Sequence, residues 1–331
     1  MPGPLIPVDT ADGWTLHLEE HPPATVGGTP AAARGALLVS HGMMVNRCSL
    51  DRPPGRGLLS FLRRRGFHVY ALDLRGHGAS GPKAAHGGRW TYDDIVQRDL
   101  PAAIRAVARR HPDLPLGYVG HSLSAHGGAV TLGLEPSLPV DAAVLISPVL
   151  WIRSHEPSTL WWLYKRLMLE GWWALTRLVG HTPARRLGIG SEDEAPGYVR
   201  QFPRWAREDR WVGEDLDPGA GSAEGHGGEL DYLAALARVR APVLVVNARG
   251  DRWICRRPSV ARFARAMSGA DVELRELGRA ELPELRREPG HMTLVTDRRS
   301  RPAWEAMADW LEGALEAAAP GAARAAPSPA T

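Results

Sequence analysis

The stretch Gly120-His121-Ser122-Leu123-Ser124 follows a short apolar run and leads into a helix-like run. A strand that runs into a tight turn with a serine at its apex, and then into a helix, exposes the serine hydroxyl as a nucleophile. The turn strains the backbone of the serine, so the positions two before and two after it must be small. Ser124 stands where the usual G-x-S-x-G pattern has its second glycine, and it is still small. The stretch therefore predicts a strand, a turn that presents Ser122, and a helix.

The composition is that of a globular protein. Hydrophobic residues make up 44% of the 331 positions and charged residues 23%, which is enough apolar material for one large domain or two of ordinary size. The net charge is only +3 and the arginines are scattered, so the composition argues against a nucleic-acid partner. The two cysteines, Cys48 and Cys255, show neither a metal-ligand spacing nor a disulfide framework, and no metal site is predicted.

Targeting segments are not evident in the sequence. The first residues lack a basic segment followed by an apolar core, so no secretory signal is predicted. The sequence also lacks a run of about 18 uncharged apolar residues, which argues against a membrane span. The expected location is therefore the cytoplasm.

Short apolar runs alternate with helix-like segments along most of the chain. Strands are predicted at 13–20, 36–40, 67–72, 116–119, 142–147, 242–247 and 272–277, and helices at 58–65, 92–110, 123–133 and 302–317. Fully apolar strands that alternate with helices are typical of a parallel sheet covered on both faces. The sequence thus predicts an α/β fold with a mostly parallel central sheet.

One segment, 151–230, breaks this alternation because it contains no strand-like run. It holds seven of the twelve tryptophans, and Trp161, Trp162, Trp172 and Trp173 widen an apolar stripe at helical spacing. We interpret 151–230 as a helical cap inserted into a core formed by 1–150 and 231–317. The glycine-rich stretch 218–228 is the expected flexible return to the core, and the Ala- and Pro-rich tail, 318–331, is expected to be disordered.

An acid and a base follow later predicted strands. Asp251 comes after the strand at 242–247, and His291 comes after the last strand. A serine hydroxyl needs a base to take its proton, neutral imidazole suits this task near pH 7, and a carboxylate fixes the imidazole tautomer. Catalytic groups of open parallel sheets collect at the carboxyl ends of the strands. We therefore expect Ser122, Asp251 and His291 to form a catalytic triad.

Other residues of the same types remain alternatives at this stage. The rivals of Asp251 as the acid are Asp141, Asp215, Asp217 and Asp297, and His291 competes with twelve other histidines. Ser124 is a weaker candidate for the nucleophile because it lacks a glycine two residues before it. It is interpreted as a small packing residue.

The order serine, acid, histidine resembles that of the α/β-hydrolase superfamily over about residues 13–317. Within that superfamily, Ser40-His41-Gly42, the run LDLRGHGAS at 72–80 and Gly120-His121-Ser122 are similar to the monoacylglycerol lipase and serine aminopeptidase-like group. The resemblance implies an α/β-hydrolase fold with an inserted helical cap. It also implies an oxyanion hole made by the backbone N–H groups of Met43 and Leu123, with His41 and His77 shaping loops.

The expected function is that of a serine hydrolase working through an acyl-enzyme intermediate, without metal or other cofactor. Its substrate would be a small-molecule carboxylic ester with an apolar acyl or alcohol part, as in a carboxylesterase or monoacylglycerol lipase. Trp161, Trp162, Trp172 and Trp173 are the expected lining of the substrate pocket. Amidase, peptidase, thioesterase and acyltransferase activities on the same triad stay open, as does a non-catalytic ligand-binding role. A dehalogenase or epoxide hydrolase is disfavoured, because those members of the fold place an aspartate where Ser122 stands.

The predicted cap also raises the question of a lipid partner. Charged residues, among them Lys165, Arg166, Glu170 and Arg177, interrupt its aromatic segment, which weakens a membrane-facing interpretation. The same mixture of basic and aromatic residues nevertheless suits a lipid–water interface. Transient contact of the cap with a lipid surface therefore remains open, and the oligomeric state is not predicted.

Overall fold

The central sheet organises the molecule. The structure, a computed structural model, describes residues 3–26, 29–30, 32–216 and 228–318, and within them eight strands form one sheet and four short strands form two hairpins. In chain order the strands are β1 (Leu5–Asp9), β2 (Thr15–His21), β3 (Thr25–Val26), β4 (Thr29–Pro30), β5 (Ala36–Ser40), β6 (His68–Asp73), β7 (Leu116–His121), β8 (Ala142–Ile146), β9 (Val212–Glu214), β10 (Glu229–Asp231), β11 (Val243–Ala248) and β12 (Val272–Leu277).

The strand order of the large sheet reverses direction near its centre. The order is β1-β2-β6-β5-β7-β8-β11-β12, with all pairs from β6 to β12 parallel and with β2 antiparallel to both of its neighbours. After β6 the chain crosses to the other side of β5 and forms β7. Open α/β sheets bind ligands outside the carboxyl ends of the strands at such a reversal. The loops after β5 and β7 therefore define the expected place of the site.

Helices cover both faces of this sheet. They are α1 (Leu58–Arg64), α2 (Tyr92–Asp94), α3 (Leu100–Arg110), α4 (Leu123–Leu134), α5 (Thr159–Val179), α6 (Ala184–Leu187), α7 (Pro196–Glu208), α8 (Tyr232–Leu236), α9 (Arg257–Ala266), α10 (Thr293–Thr296) and α11 (Arg301–Ala318), with a π-helical segment, Ile95–Asp99, between α2 and α3. Leu38 of β5 belongs to the core that includes Ile104 of α3 and Val130 of α4, whereas Leu37 belongs to the opposite core with Trp304 of α11. Both faces of the strands are buried, as their continuous apolar runs predict.

The part of the chain between β8 and β11 contains the predicted cap. Its described residues, 151–216 and 228–231, are called the insertion below. The longest element, α5, begins where the Ser158 side chain accepts the N–H of Trp161 and ends at Gly180, whose φ of +86° favours glycine. The prediction that this segment has no strand is wrong, because β9 and β10 pair as a short antiparallel hairpin. Three-residue strands are too short to show a period in the sequence.

The bounds of the core elements agree closely with the sequence analysis. Each predicted core strand has a counterpart in the sheet, displaced by at most about two residues, as expected for element boundaries. The elements that were not predicted are β1, β3, β4, α8, α9 and α10. Residues 218–227 of the predicted return and 319–331 of the predicted tail lie outside the described residues, and Ala318 is the last residue of α11. Among the described helices, none is both long and apolar enough to cross a bilayer.

A buried histidine in α4 makes the stability of the fold depend on pH. His126 is 1% exposed, its Nδ1 lies 2.9 Å from the Tyr92 hydroxyl, and its Nε2 has no hydrogen-bond partner among the described residues. Burial lowers the pKa of His126 to about 3. The unfolded chain therefore binds more protons than the folded chain between pH 3 and 6.5, and stability falls as the pH is lowered through this window.

We expect His126→Asn to reduce this pH dependence, because asparagine cannot be protonated and its amide oxygen can still accept the Tyr92 hydroxyl. The free energy of unfolding in urea is measured at pH 7 and pH 5 for both proteins. The loss on acidification should be smaller in the variant by about 2 kcal/mol, the amount for one histidine with these two pKa values. An equal loss in the two proteins would mean that His126 does not titrate on unfolding.

Candidate active site

Ser122 occupies the strained turn between β7 and α4. Its backbone has φ +53° and ψ −109°, a region that residues with a side chain rarely adopt. The Ser122 N–H donates to the Ile146 carbonyl of β8 at 2.8 Å, which anchors the turn to the neighbouring strand. A Cβ on Gly120 would lie 2.3 Å from the Ser124 carbonyl oxygen, so only glycine fits two residues before Ser122. The turn thus holds the Ser122 side chain at the carboxyl edge of the sheet.

His291 and Asp251 complete a hydrogen-bonded chain that begins at Ser122. Ser122 Oγ lies 2.9 Å from His291 Nε2, and His291 Nδ1 lies 2.5 Å from Asp251 Oδ2. An ionised carboxylate can only accept, so Nδ1 carries the ring proton and Nε2 is free to accept the proton of the serine hydroxyl. The structure therefore brings together the three side chains that the sequence analysis selected, from loops 169 and 40 residues apart.

The environment of Asp251 keeps its carboxylate ionised. Burial alone would raise the pKa of Asp251, but the hydrogen bond and charge of His291 and the N–H groups of Cys255 and Ile254 outweigh burial and lower it. Both N–H groups donate to Asp251 Oδ1 at 3.1 Å, which leaves Oδ2 for the histidine. The loop after β11 thus orients the carboxylate through its own backbone.

A second histidine supports the loop that carries His291. His121 Nε2 donates to the His291 carbonyl at 3.0 Å, since a carbonyl oxygen can only accept. Burial and the neighbouring His291 lower the pKa of His121 to about 3, so this ring is neutral at neutral pH. The residue directly before Ser122 therefore fixes the backbone of His291 without adding a charge beside it.

The loop after β5 passes directly beside Ser122. A Cβ on Gly42 would lie 3.2 Å from Ser122 Cβ, so this backbone approaches the serine closely. His41 Nδ1 donates to the Gly42 carbonyl at 2.7 Å, and His41 Nε2 accepts the Leu74 N–H at 3.2 Å. The Gly42 carbonyl and the Met43 N–H belong to one planar peptide and point in opposite directions. By holding the carbonyl, His41 also fixes the direction of the Met43 N–H.

Leu123 is the first residue of α4, so its N–H has no acceptor within the helix. It is adjacent to Ser122 and lies at the positive end of the helix dipole. Of the two residues predicted to form an oxyanion hole, Leu123 directly follows Ser122, and Met43 directly follows Gly42, whose backbone approaches Ser122 closely.

Ser124 connects the helix after Ser122 to the loop after β5. Its hydroxyl donates to the His41 carbonyl at 2.5 Å and lies 2.7 Å from the Ser40 hydroxyl, which can donate to it. It is fully buried. A glycine at this position would provide neither contact, so the departure from the usual pattern has a structural role in this chain.

The four tryptophans predicted to line a pocket have different surroundings. Trp162 is 7% exposed and belongs to the core, and Trp172 Nε1 donates to Thr182 Oγ1 at 2.8 Å. Trp173 is partly buried against the same core. Trp161 instead packs on Trp253, with ring centroids 5.1 Å apart, in the loop that carries Asp251. Trp161 is thus the one of the four with a described contact to a loop of the candidate site.

The rival acids lie in other surroundings. Asp141 accepts the Leu116 N–H at the start of β7, and Asp297 pairs with Arg287. Asp215 lies in the insertion beyond β9, and Asp217 lies outside the described residues.

In the part of the chain that the structure describes, no group of three His, Cys, Asp or Glu side chains is arranged to hold a metal ion.

Sequence reasoning missed two residues near the site. Glu194 of the insertion accepts the Met44 N–H at 2.6 Å, and Trp253 follows Asp251 by two residues and is 63% exposed. Trp253 could have been noted from its position after the acid. Glu194 carried no signal, because only the folded chain brings it to a loop 150 residues earlier.

Comparison with known proteins identifies the class of fold. The structure resembles an esterase of Pyrococcus furiosus (TM-score 0.58, 16% identity, 94% of this chain and 91% of that one) and the α/β hydrolase GrgF of Penicillium sp. sh18 (TM-score 0.59, 15% identity, 96% and 100%). The fold is that of the α/β-hydrolases, as the sequence predicted. The family model of the serine aminopeptidases S33 matches residues 31–280, and the chain belongs to this family.

Similar sequences include lipases. The chain is 30% identical over 162 residues to monoglyceride lipase of Rattus norvegicus (48% of this chain, 47% of that protein) and 28% over 163 residues to triacylglycerol lipase 2 of Arabidopsis thaliana (46% and 38%). It is 26% identical over 247 residues to monoacylglycerol lipase of Mycolicibacterium smegmatis (71% and 80%). The match to the first two covers less than half of each relative's length.

Proposed function

We propose that this chain is a serine hydrolase that cleaves carboxylic esters through an acyl-enzyme intermediate. The observation that carries the proposal is the hydrogen-bonded chain from Ser122 Oγ to His291 at 2.9 Å and on to Asp251 at 2.5 Å. The strained turn that presents Ser122 supports it independently, since such strain persists where the surrounding structure enforces it.

In the proposed mechanism, His291 Nε2 takes the hydroxyl proton as Ser122 Oγ attacks the ester carbonyl. Asp251 stabilises the imidazolium that forms. The Met43 and Leu123 N–H groups donate to the oxyanion of the tetrahedral intermediate, at about 3–4 kcal/mol each. His291 then gives its proton to the leaving alcohol. In the second half of the reaction, His291 takes a proton from water as the water attacks the acyl-enzyme. It returns that proton to Ser122 Oγ as the acid product leaves. Every proton that moves is handled by His291, so the mechanism uses no metal.

Ester substrates are favoured over the alternatives by the names of the relatives. The lipases of rat, Arabidopsis and Mycolicibacterium act on acylglycerols by name, whereas the family model is named for an aminopeptidase. The same three side chains could also cleave amides and thioesters. Matched p-nitrophenyl esters, p-nitroanilides and thioesters of one acyl chain distinguish these classes by their kcat/KM.

Substitution of the triad tests the assignment. We expect Ser122→Ala and His291→Ala to lower kcat by about 10⁴-fold or more and Asp251→Asn somewhat less, because triad members act as a unit. EDTA should leave the wild-type activity unchanged. A fluorophosphonate probe should label the wild type and Ser124→Ala, but not Ser122→Ala.

Ester hydrolysis by Ser122→Ala at the wild-type rate would reject the nucleophile. Wild-type protein that is neither labelled nor active on any ester of the panel would instead favour a non-catalytic ligand-binding protein of this fold.

We further propose that the insertion acts as a cap that selects an apolar acyl or alcohol group. The contact of Trp161 with Trp253 supports this, because it places an aromatic surface of α5 beside the loop of Asp251. A tryptophan face suits an acyl chain, and each buried methylene contributes at most about 0.8 kcal/mol.

We expect kcat/KM on p-nitrophenyl esters to rise from acetyl to medium chains and then to level. Trp161→Ala should flatten that rise more than it lowers acetyl hydrolysis. The matched variant Trp162→Ala, at a buried position, should have a lower melting temperature but the same increase of kcat/KM with acyl chain length. If the slope with chain length is the same in all three proteins, Trp161 does not contact the acyl group.

The outer face of α5 is the proposed contact with a lipid surface. Large apolar side chains at helical spacing are exposed there, from 41% for Met168 to 85% for Leu178. They are Leu160, Leu163, Tyr164, Leu167, Met168 and Leu178. Arg166 and Arg177 are exposed on the same helix and form no ion pair with a described residue, and Arg186 of α6 is also exposed. An exposed apolar stripe flanked by free arginines fits an anionic bilayer surface.

We expect the protein to sediment with phosphatidylglycerol vesicles, and less with phosphatidylcholine vesicles. Leu163→Ser with Leu167→Ser should abolish the binding, because it removes apolar side chains that would enter the interface. Leu5→Ser, at a leucine that is 44% exposed on the edge strand β1, is the matched control and should bind normally. A concentration-dependent dimer lost in the double variant, without vesicle binding, would assign this face to a second copy of the chain.

A further inference from the structure

Glu194 is a buried carboxylate that crosses from the insertion to the core. Its side chain has no exposed surface. Oε1 accepts the Met44 N–H at 2.6 Å and faces His77 Nε2 at 3.2 Å, whereas Oε2 has no hydrogen-bond partner among the described residues. A buried carboxylate with one unpaired oxygen is costly. The insertion therefore holds this group at a position where its contacts with Met44 and His77 must compensate for the cost.

His77 is the side chain that faces Glu194 Oε1. Its Nδ1 donates to the Arg75 carbonyl at 2.8 Å, because a carbonyl oxygen can only accept. Burial alone would lower the pKa of His77, but the charge and hydrogen bond of Glu194 outweigh burial and raise it. The loop after β6 thus holds the His77 ring against Glu194 through its own backbone.

Met44 is held on both sides by the insertion. In addition to the Glu194 contact, its carbonyl accepts the N–H groups of Ser191 at 2.8 Å and Glu192 at 3.0 Å. Met44 has a φ of +59°, in the left-handed region. A Cβ on Gly190 would lie 2.3 Å from the Met44 carbonyl oxygen, so the two backbones touch. A strained conformation of this kind persists only when its surroundings enforce it.

Met44 directly follows Met43, whose N–H is the proposed oxyanion donor. On the core side, His41 fixes the Gly42–Met43 peptide, and Ser124 fixes the His41 carbonyl. On the other side, the Met43–Met44 peptide is held by Glu194. The donor therefore lies between one anchor in the core and one in the insertion.

From this geometry we propose that Glu194 is a positioning residue that fixes the Met43 N–H for the tetrahedral intermediate, so that the insertion forms part of the oxyanion hole. This inference rests on the proposed function. It assigns to the insertion a role in the chemical step, in addition to substrate selection. Loss of the contact should weaken binding of the transition state and leave binding of the ester little changed.

The test compares four variants with the wild type on a short, water-soluble ester. Glu194→Met removes the acceptor and fills most of its volume, Glu194→Ala removes both, and Glu194→Gln keeps a neutral acceptor. The matched control is Glu192→Gln. The Glu192 side chain is also buried and also bridges to the core, through Lys83 at 2.9 Å, Gly78 N–H at 3.1 Å and Asn46 Nδ2 at 2.5 Å. Its contact with Met44 is made by the backbone N–H, which Glu192→Gln keeps.

We expect kcat to fall by about 10–100-fold in the Met and Ala variants, with KM within about twofold, because removal of a whole donor costs 10²–10³. The Gln variant should lose about 3–10-fold, since a neutral acceptor is weaker than a charged one. A trifluoromethyl ketone forms an oxyanion on Ser122, and its Ki should rise in parallel with the loss in kcat/KM. The control should keep kcat and Ki within about twofold. Activity is expressed per folded molecule, from the near-ultraviolet circular dichroism of the tryptophans.

Wild-type kcat and Ki in the Met and Ala variants, with a lower melting temperature alone, would overturn the proposal and leave Glu194 a docking residue. If those variants do not fold, wild-type values in Glu194→Gln overturn it. Equal changes in kcat and Ki in Glu192→Gln would also overturn the proposal. Loss of a side-chain contact between the insertion and the core would then be enough to cause them, without any change at Met44. Ser122→Ala, measured alongside, separates these outcomes from failure of the proposed function: activity that survives in Ser122→Ala rejects the serine mechanism itself.

Discussion

The turn at Ser122 is the constraint on which the site depends. A residue with φ +53° and ψ −109° does not stay there by preference, so every neighbour of the turn must hold it. The Ile146 carbonyl fixes its N–H, Gly120 leaves room for the chain to fold back, and Ser124 ties the following helix to the loop after β5. Because the same contacts fix both the hydroxyl and the neighbouring backbone, the proposed nucleophile and the proposed oxyanion donors form one rigid unit.

Two buried carboxylates attach the insertion to the core at two places. Glu194 reaches the loop after β5, whereas Glu156 pairs with Lys165 of α5 at 3.0 Å and with Arg256, just after the Asp251 loop, at 3.1 Å. Glu156 and Lys165 are each 1% exposed. Buried ion pairs contribute little net stability, but they are strongly directional, and removal of one partner is costly. They suit a role in fixing where the insertion sits on the core.

The sequence predicted the core elements, and it singled out Ser122, because these signals are local. A fully apolar run identifies β7, and its small-residue turn identifies Ser122, without knowledge of the rest of the chain. Asp251 and His291 could be chosen over their rivals only because parallel strands bring their carboxyl ends together. Glu194 could not be found in this way, because its partner lies on a loop 150 residues away and no periodic pattern relates the two. The tryptophans show the same limit: their spacing predicted a helix but did not distinguish Trp162, which is core, from Trp161, which faces the acid loop.

Because of these contacts, the proposed selection of the substrate by the insertion and the proposed chemical step depend on the same residues. The helix that exposes an apolar stripe also carries Lys165, which is buried against Glu156, and Trp161, which packs on Trp253. A displacement of α5 would therefore move the surroundings of Asp251, just as a displacement of the loop at Glu194 would move those of Met43. The helix with the exposed apolar stripe is thus linked to the loop after β11 through Lys165, Glu156 and Arg256. Rigid packing transmits such a displacement, because a close-packed interior has no free volume to absorb it.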